Sequence, residues 1–245
     1  MRIGRREVAA SVALLTVAPR VLGQSETKAL TPLPIRIGAA TIRLTTPNGY
    51  VETSVRAPDV YALALAFSAG DARIVAHYVK ANDLALFEQG KKVYFSEFLL
   101  AQTPRRAENL EVTQAQFDKL RNGTVALQGQ LSSKLEPLLA AEAARLSKAV
   151  SGIAGANIKV KTGEMVPISI DRDDAKVISY SVLASTAVTE GRTTETRNMV
   201  ASTAACFVSR KVIMLNVYRV FRSPRDLQAN KVLLAAWVTS TLSVN

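Results

Sequence analysis

The apolar positions of this chain change spacing several times, and each change predicts an element. Residues 57–69 read as a helix, with Val60, Leu63, Ala64 and Phe67 on one face at 3.6-residue spacing. Pro58 suits its first turn, Asp59 its positive end and Gly70 its stop. Residues 73–80 alternate as a strand, with Val75, His77 and Val79 on one side. Asn82 can cap a short helix over 83–89 that Gly90 ends, and 92–102 is a predicted strand. Thr113 and Gln116 form a capping-box pattern ahead of a long helical stretch. There Phe117, Leu120, Leu127, Leu131, Leu135, Leu138 and Leu146 fall on one stripe, spaced to pack on the sheet. Gly123 weakens that helix, and Pro137 kinks it or starts a second one.

Beyond Gly155 the period drops to two. Strands are predicted over 157–161, 165–170, 176–188, 193–208 and 212–221, with Asp171-Arg172-Asp173-Asp174 and Ser209-Arg210-Lys211 as turns. Ser223, Pro224 and Asp226 start a final helix that runs to about Leu242. Near the front, 41–44 are β-like, Pro47-Asn48-Gly49 is a turn, and 50–55 are extended. Helices separated by strands, ending in strands joined by short turns, predict an α+β fold: an antiparallel sheet with helices packed on its faces.

The first 23 residues follow a different rule. Arg2, Arg5 and Arg6 precede an apolar run from Val8 to Ala18, and Val21-Leu22-Gly23 ends it in the manner of a secretory signal peptide cleaved after Gly23. The run falls short of the ~20 residues a bilayer span needs. Gly4-Arg5-Arg6-Glu7-Val8 resembles a twin-arginine signal but lacks its usual leading Ser, so the general secretory route also stays open. The expected organisation is a signal peptide at 1–23, a flexible lead-in at 24–34 and a single α+β domain at 35–245. The expected location is periplasmic or secreted.

Composition narrows the chemistry. The chain has one Cys (Cys206) and one His (His77), which excludes an intrachain disulfide and the usual Cys/His zinc site. Without residues 1–23 the chain carries 27 Lys and Arg against 19 Asp and Glu, a net charge of +8 that draws it toward anionic surfaces. Nucleic acid would call for interleaved aromatics, and aromatics make up only 6% of the chain.

The run Lys211-Val212-Ile213-Met214-Leu215-Asn216-Val217-Tyr218-Arg219-Val220-Phe221, followed by Ser223, Asp226, Trp237 and Asn245, resembles the C-terminal signature of a family of uncharacterised exported bacterial proteins. Pro47-Asn48-Gly49-Tyr50 and Gln102-Thr103-Pro104-Arg105 are similar to that family too, although Asn216 stands where its pattern has an aromatic. The family in turn resembles the PsbP-like α/β/α sandwich. This implies a fold and an exported location, and no activity, cofactor or residue role.

Among local motifs, Ser25-Glu26-Thr27-Lys28 and Lys161-Thr162-Gly163 match two marks of penicillin-binding enzymes, but no S-D-N lies between them. His77, alternating with Val75 and Val79, is expected to be a buried neutral imidazole, and Cys206 a small core residue. The aspartates at 171, 173 and 174 lack the Gly and distal Glu of a calcium loop and are interrupted by Arg172. The densest basic region is Arg219, Arg222 and Arg225, with Lys211 and Arg210 across a hairpin; these are the candidate binding residues, suited to phosphate or carboxylate. No cofactor or metal is implied. The expected function is a non-catalytic exported protein that binds a protein or an anionic envelope component. The alternatives are a hydrolase whose carboxylates, such as Glu97 or Asp173, converge only in the fold, and a structural subunit with an exposed leucine face.

Overall fold

The computed structural model describes residues 32–68, 70–91, 93–128, 147–148, 158–190 and 193–245. The predicted signal peptide, Pro137 and the stripe leucines Leu131, Leu135, Leu138 and Leu146 lie outside these residues. The described elements are strands β1 (Leu33–Ile37), β2 (Ala40–Leu44), β3 (Tyr50–Glu52), β4 (Ala72–Lys80), β5 (Glu97–Pro104), β6 (Ile158–Asp174), β7 (Val177–Glu190), β8 (Thr193–Val208) and β9 (Lys211–Val220). The helices are α1 (Thr53–Arg56), α2 (Pro58–Phe67), α3 (Ala81–Glu88), α4 (Gln114–Gln128) and α5 (Pro224–Ser243).

Seven strands form one antiparallel sheet in the order β3-β4-β5-β9-β8-β7-β6, and β1 and β2 make a separate hairpin. The chain reaches the far edge at β6 and returns through three consecutive hairpins until β9 docks beside β5. That walk explains why β8 and β9 are buried on both faces at their centres. The fold is α+β, with helices packed on the sheet.

Side chains at alternate positions divide the core in two. Facing α5, Tyr78, Leu99, Ala204, Cys206, Ile213, Leu215 and Val217 meet Leu234, Trp237 and Val238 of the helix and Ile37, Ile42 and Leu44 of the hairpin. Trp237 packs edge-on to Tyr78, and its indole N–H donates to the Thr45 carbonyl at 2.8 Å. The opposite face carries smaller clusters under α2 and α3 (Val60, Val79, Leu84) and under α4 (Phe117, Ile178, Ala205, Val212).

The starts predicted at Thr113 and Ser223 are built as expected, whereas Asn82 does not cap α3, which begins at Ala81 after Lys80 with no side-chain cap. The Thr113 N–H donates to the Gln116 side chain while the Gln116 N–H donates to Thr113 Oγ1. Asp226 accepts from the backbone N–H groups of Arg222 and Ser223 at 3.0 and 2.8 Å.

Other expectations are corrected. The lead-in ends sooner, because Leu33 already opens β1; Gly38, at φ +56°, makes the two-residue turn into β2 that only a glycine enters without strain. Residues 53–55 are not extended: the Glu52 carboxylate accepts the Ser54 N–H and starts a helical turn. Residues 93–96 precede β5 instead of belonging to it. The two strands expected over 157–170 are one long strand, whose register shifts at three places absorb the irregularity. Pro167 is tolerated there because β6 lies at the sheet edge. The turn expected at 171–174 falls at Ala175-Lys176, with Asp174 accepting the N–H groups of Lys176 and Val177. On α4 only Phe117 of the described stripe is buried, while Leu120 and Leu127 are exposed.

Candidate functional site

Period-two geometry sends Tyr78 and Lys80 of β4, Glu97 and Leu99 of β5, and Val217 and Arg219 of β9 to the α5 face. Where the apolar residues of these strands run out, the charged ones meet. Glu97 is 2% exposed and accepts from three donors: the Tyr50 hydroxyl on Oε1, and Lys80 Nζ at 2.9 Å and Arg219 Nη2 at 2.8 Å on Oε2. Arg219 is held from behind by Asn230 of α5, whose Oδ1 accepts from Nε at 3.3 Å. Asn230 is fully buried and donates to the carbonyls of Val200 and Val217, which locks the helix to β8 and β9.

This geometry concentrates positive charge. With both nitrogens within 2.9 Å of a single oxygen, the two cations lie under about 6 Å apart, where unit charges repel by roughly 3 kcal/mol at an effective dielectric of 20. Glu97 alone does not neutralise both; Asp83 acts on Lys80, and Asp226, whose carboxyl Arg219 helps to lower, lies near as well. Burial and the charges of Arg219 and Arg222 hold the Lys80 ammonium below its ordinary value, opposed by Asp83. Burial pushes the Glu97 carboxyl up, and Arg219 draws it back. Lys80 remains 41% exposed, so part of its ammonium faces solvent with donors to spare.

The predicted binding residues separate into two groups. Arg219 is the inner wall of this site, and Arg222 is exposed close enough to depress Lys80. Arg225 is exposed on the first turn of α5, and neither the Arg222 nor the Arg225 guanidinium has an ion-pair partner among the described residues, although the Arg222 backbone N–H donates to Asp226. Lys211 does not join them. It starts β9, eight residues from Arg219 and roughly 27 Å away at ~3.4 Å per residue. It is 3% exposed, and its ammonium donates to the carbonyls of Glu108 and Leu110 at 3.0 and 2.7 Å. The hairpin brought Arg210 and Lys211 together but set them at the other end of the sheet, where Arg210 pairs with Glu111.

Lys80 and Tyr50 are the participants that sequence reasoning missed. The alternation Tyr78, Lys80 marks the lysine as facing the same way as a core tyrosine, a signal that was present. Nothing local could have paired either residue with Glu97, because register across β3, β4, β5 and β9 sets those contacts.

Glu97 and Asp173 do not converge, although Asp226 lies near enough to raise the Glu97 carboxyl. Glu97 faces α5 from the sheet interior, whereas Asp173 lies on edge strand β6 and pairs with Arg121 of α4 at 2.6 Å. Asp174 is tied to Arg172. Asp171, 12% exposed, accepts from Lys231 at 2.7 Å, Ser169 at 2.6 Å and Ser181 at 2.5 Å, and Ser202 extends the network. His77 is buried, with Nδ1 2.8 Å from Thr53 Oγ1, and burial pushes its imidazole down to about 4. The imidazole is therefore neutral, as expected. Cys206 is buried, which raises its thiol to about 12 and leaves it without nucleophilic character.

No protein-family model and no curated protein sequence matches the chain. Among solved structures it matches the Ran-binding protein Mog1p of Saccharomyces cerevisiae, at 10% identity over 87% of this chain and 93% of that one, with a TM-score of 0.31. It also matches the cyanobacterial PsbP (CyanoP) of Synechocystis sp. PCC 6803, at 14% identity over 89% and 96%, with a TM-score of 0.33. Overlaps this loose carry no argument about this chain. The description of its fold therefore rests on its own sheet order and packing.

Proposed function

We propose that this chain is an exported, non-catalytic protein that binds an oxyanion group, carboxylate or phosphate, of a protein or envelope component at the rim formed by Lys80, Arg219 and Arg222. The observation that carries this reading is the convergence of two cations on one oxygen of a buried carboxylate. Glu97 fixes the positions of Lys80 and Arg219, and Lys80, Arg219, Arg222 and Arg225 together outnumber Glu97, Asp83 and Asp226 at a partly open edge. An incoming oxyanion would take up spare N–H groups already held in place, which reduces the ordering cost of binding. Arg225, on the first turn of α5, adds to the same basic surface. Export is supported by the three-part layout of residues 1–23, and among the described residues no helix is long and apolar enough to cross a membrane.

The test is calorimetric titration of the full chain with inorganic phosphate and, separately, with vesicles of phosphatidylglycerol in phosphatidylcholine. Binding should weaken ~10-fold in the Lys80→Gln/Arg222→Gln double variant, whose positions are partly or fully solvent-facing. Equal binding by the variant sinks the assignment of the rim. N-terminal sequencing of the chain recovered from its cell checks export: a start at Gln24 is expected, and an intact Met1 in the cytosol would overturn it.

A further inference from the structure

At the opposite end of the sheet lies a second feature with a different chemistry. A concavity of about 230 Å³ opens between the turn after β5, the start of α4 and β9. Its walls are Pro104, Ala107, Leu110, Val112, Phe117 and Val212, and Leu120 stands at its margin. Phe117 forms a rigid floor, fully buried and stacked on Phe207 with ring centroids 5.4 Å apart. Leu110, by contrast, is 60% exposed on the lip.

The turn that makes the near wall is pinned in place. The buried Lys211 ammonium holds the carbonyls of Glu108 and Leu110, and the Val112 N–H donates to the Arg210 carbonyl at 2.8 Å. A Cβ on Gly38 would come within 2.4 Å of the Glu108 carbonyl, so the β1–β2 turn is packed directly behind. Such a wall is formed before anything enters the concavity.

Cations outnumber carboxylates around the opening. Glu111, which with Gln116 also lines the concavity, pairs with Arg210, Glu108 pairs with Arg73, and Asp118 shares Arg121 with Asp173. Arg105 and Arg106, on the turn between Pro104 and Ala107, are exposed and have no ion-pair partner among the described residues; nor does Lys119 beside Leu120. A pocket for a whole small molecule usually offers ~300–1,000 Å³ and encloses most of its ligand, which this open concavity does not. It does have the size of one large apolar side chain, the kind of anchor that concentrates binding energy at protein interfaces.

We infer that this concavity docks an acidic segment of a partner protein, with one aromatic or leucine side chain inserted against Leu110 and Val112 above the buried Phe117 ring and flanking carboxylates on Arg105 and Arg106. This surface is separate from the Lys80–Arg219 rim. The probe is a fluorescein-labelled nine-residue peptide with a central tryptophan and glutamates on either side, titrated into the full chain by anisotropy. A lysine-flanked peptide and one with alanine at the centre are the controls. The glutamate–tryptophan peptide should bind at least ~10-fold more tightly than either control. Ala107→Phe, which fills the cavity, and Leu110→Ser, an exposed change that needs no repacking, should each weaken it ~10-fold. Arg105→Glu/Arg106→Glu should erase the preference for glutamate over lysine flanks. Equal binding of the controls, undiminished binding by Leu110→Ser, or no saturation at millimolar peptide overturns the inference. So does loss of peptide binding in Lys80→Gln/Arg222→Gln, which would assign the peptide to the other rim. Phosphate binding without peptide binding would remove this surface and leave that rim standing.

Discussion

Two carboxylates flank the first half of α5, Glu97 buried and Asp171 on the exposed edge strand with its side chain turned in, and they are built differently. Glu97 receives a tyrosine and two cations; Asp171 receives two serines and one cation. Consecutive residues of the helix serve them, Asn230 holding Arg219 and Lys231 pairing with Asp171. The Asp171 cluster is balanced in charge and its donors are consumed internally, so it fastens the helix to β6 and β7. The Glu97 cluster fastens the other side of the helix and still carries an unmatched positive charge. Burial of an acid does not itself make a site. What distinguishes the two is whether the surrounding donors outnumber what the acid can neutralise.

The sharpest way to break the comparison is to remove each acid. Glu97→Ala leaves Lys80 and Arg219 facing each other in a partly desolvated place, and about 3–5 kcal/mol of stability should be lost in urea unfolding. Adding Arg219→Met should restore part of that loss, since the uncompensated charge is then gone. A smaller loss for Glu97→Ala than for Asp171→Ala would show that the excess charge has been misplaced.

The pH chosen for these measurements matters, because burial moves the His77 titration into the acid range. Its folded-state value of about 4 lies below the unfolded 6.5, so the unfolded chain binds the proton first. Stability is full above pH ~6.5 and falls by about 3 kcal/mol as pH drops toward 4, in the absence of other groups. Glu97, raised by burial, works in the opposite direction over the acid range. A His77→Asn variant should give a flatter stability curve between those limits; an unchanged slope would show that the imidazole is not buried neutral.

Smaller effects separate the helix residues. Asn230→Ala removes two bonds to strand carbonyls and the acceptor of Arg219 Nε, and should cost about 1–3 kcal/mol. Lys231→Met, at a position 26% exposed, should cost about 1 kcal/mol or less. Equal losses in thermal unfolding would mean that the two clusters fasten α5 alike.

Legibility in the sequence follows how far apart the cooperating residues lie. Signals that act within a few residues were readable: the Thr113–Gln116 reciprocal cap, Pro224 and Asp226 at the start of α5, and the alternation that gave β8 its observed bounds. The hairpin over 33–44 was half seen, because Leu33 and Pro34 were read as lead-in when Gly38-Ala39 marked the turn. The continuous β6 was hidden because bulges and an edge proline interrupt a period-two pattern without ending the strand. Arg219 and Arg222 were identifiable as basic residues near a helix start. Their partner Lys80 was not, since only the antiparallel register of β4, β5 and β9 brings residues 80, 97 and 219 together. Lys211 was misplaced for the same reason: closeness in sequence along an extended strand is distance in space.

The small β1–β2 hairpin stands outside the main sheet, so both of its outer edges could template a foreign strand. Each edge is occupied. Along β1, Pro34 offers no N–H and the Arg36 carbonyl accepts from Arg73 at 2.8 Å. Along β2, the Asn245 carboxamide accepts the Arg43 N–H at 2.9 Å and donates to the Arg43 carbonyl at 2.7 Å, doing with a side chain what another peptide group would do. Both outer edges of the hairpin are therefore stoppered, and Asn245→Ala should show itself first as self-association and only secondarily as lost stability.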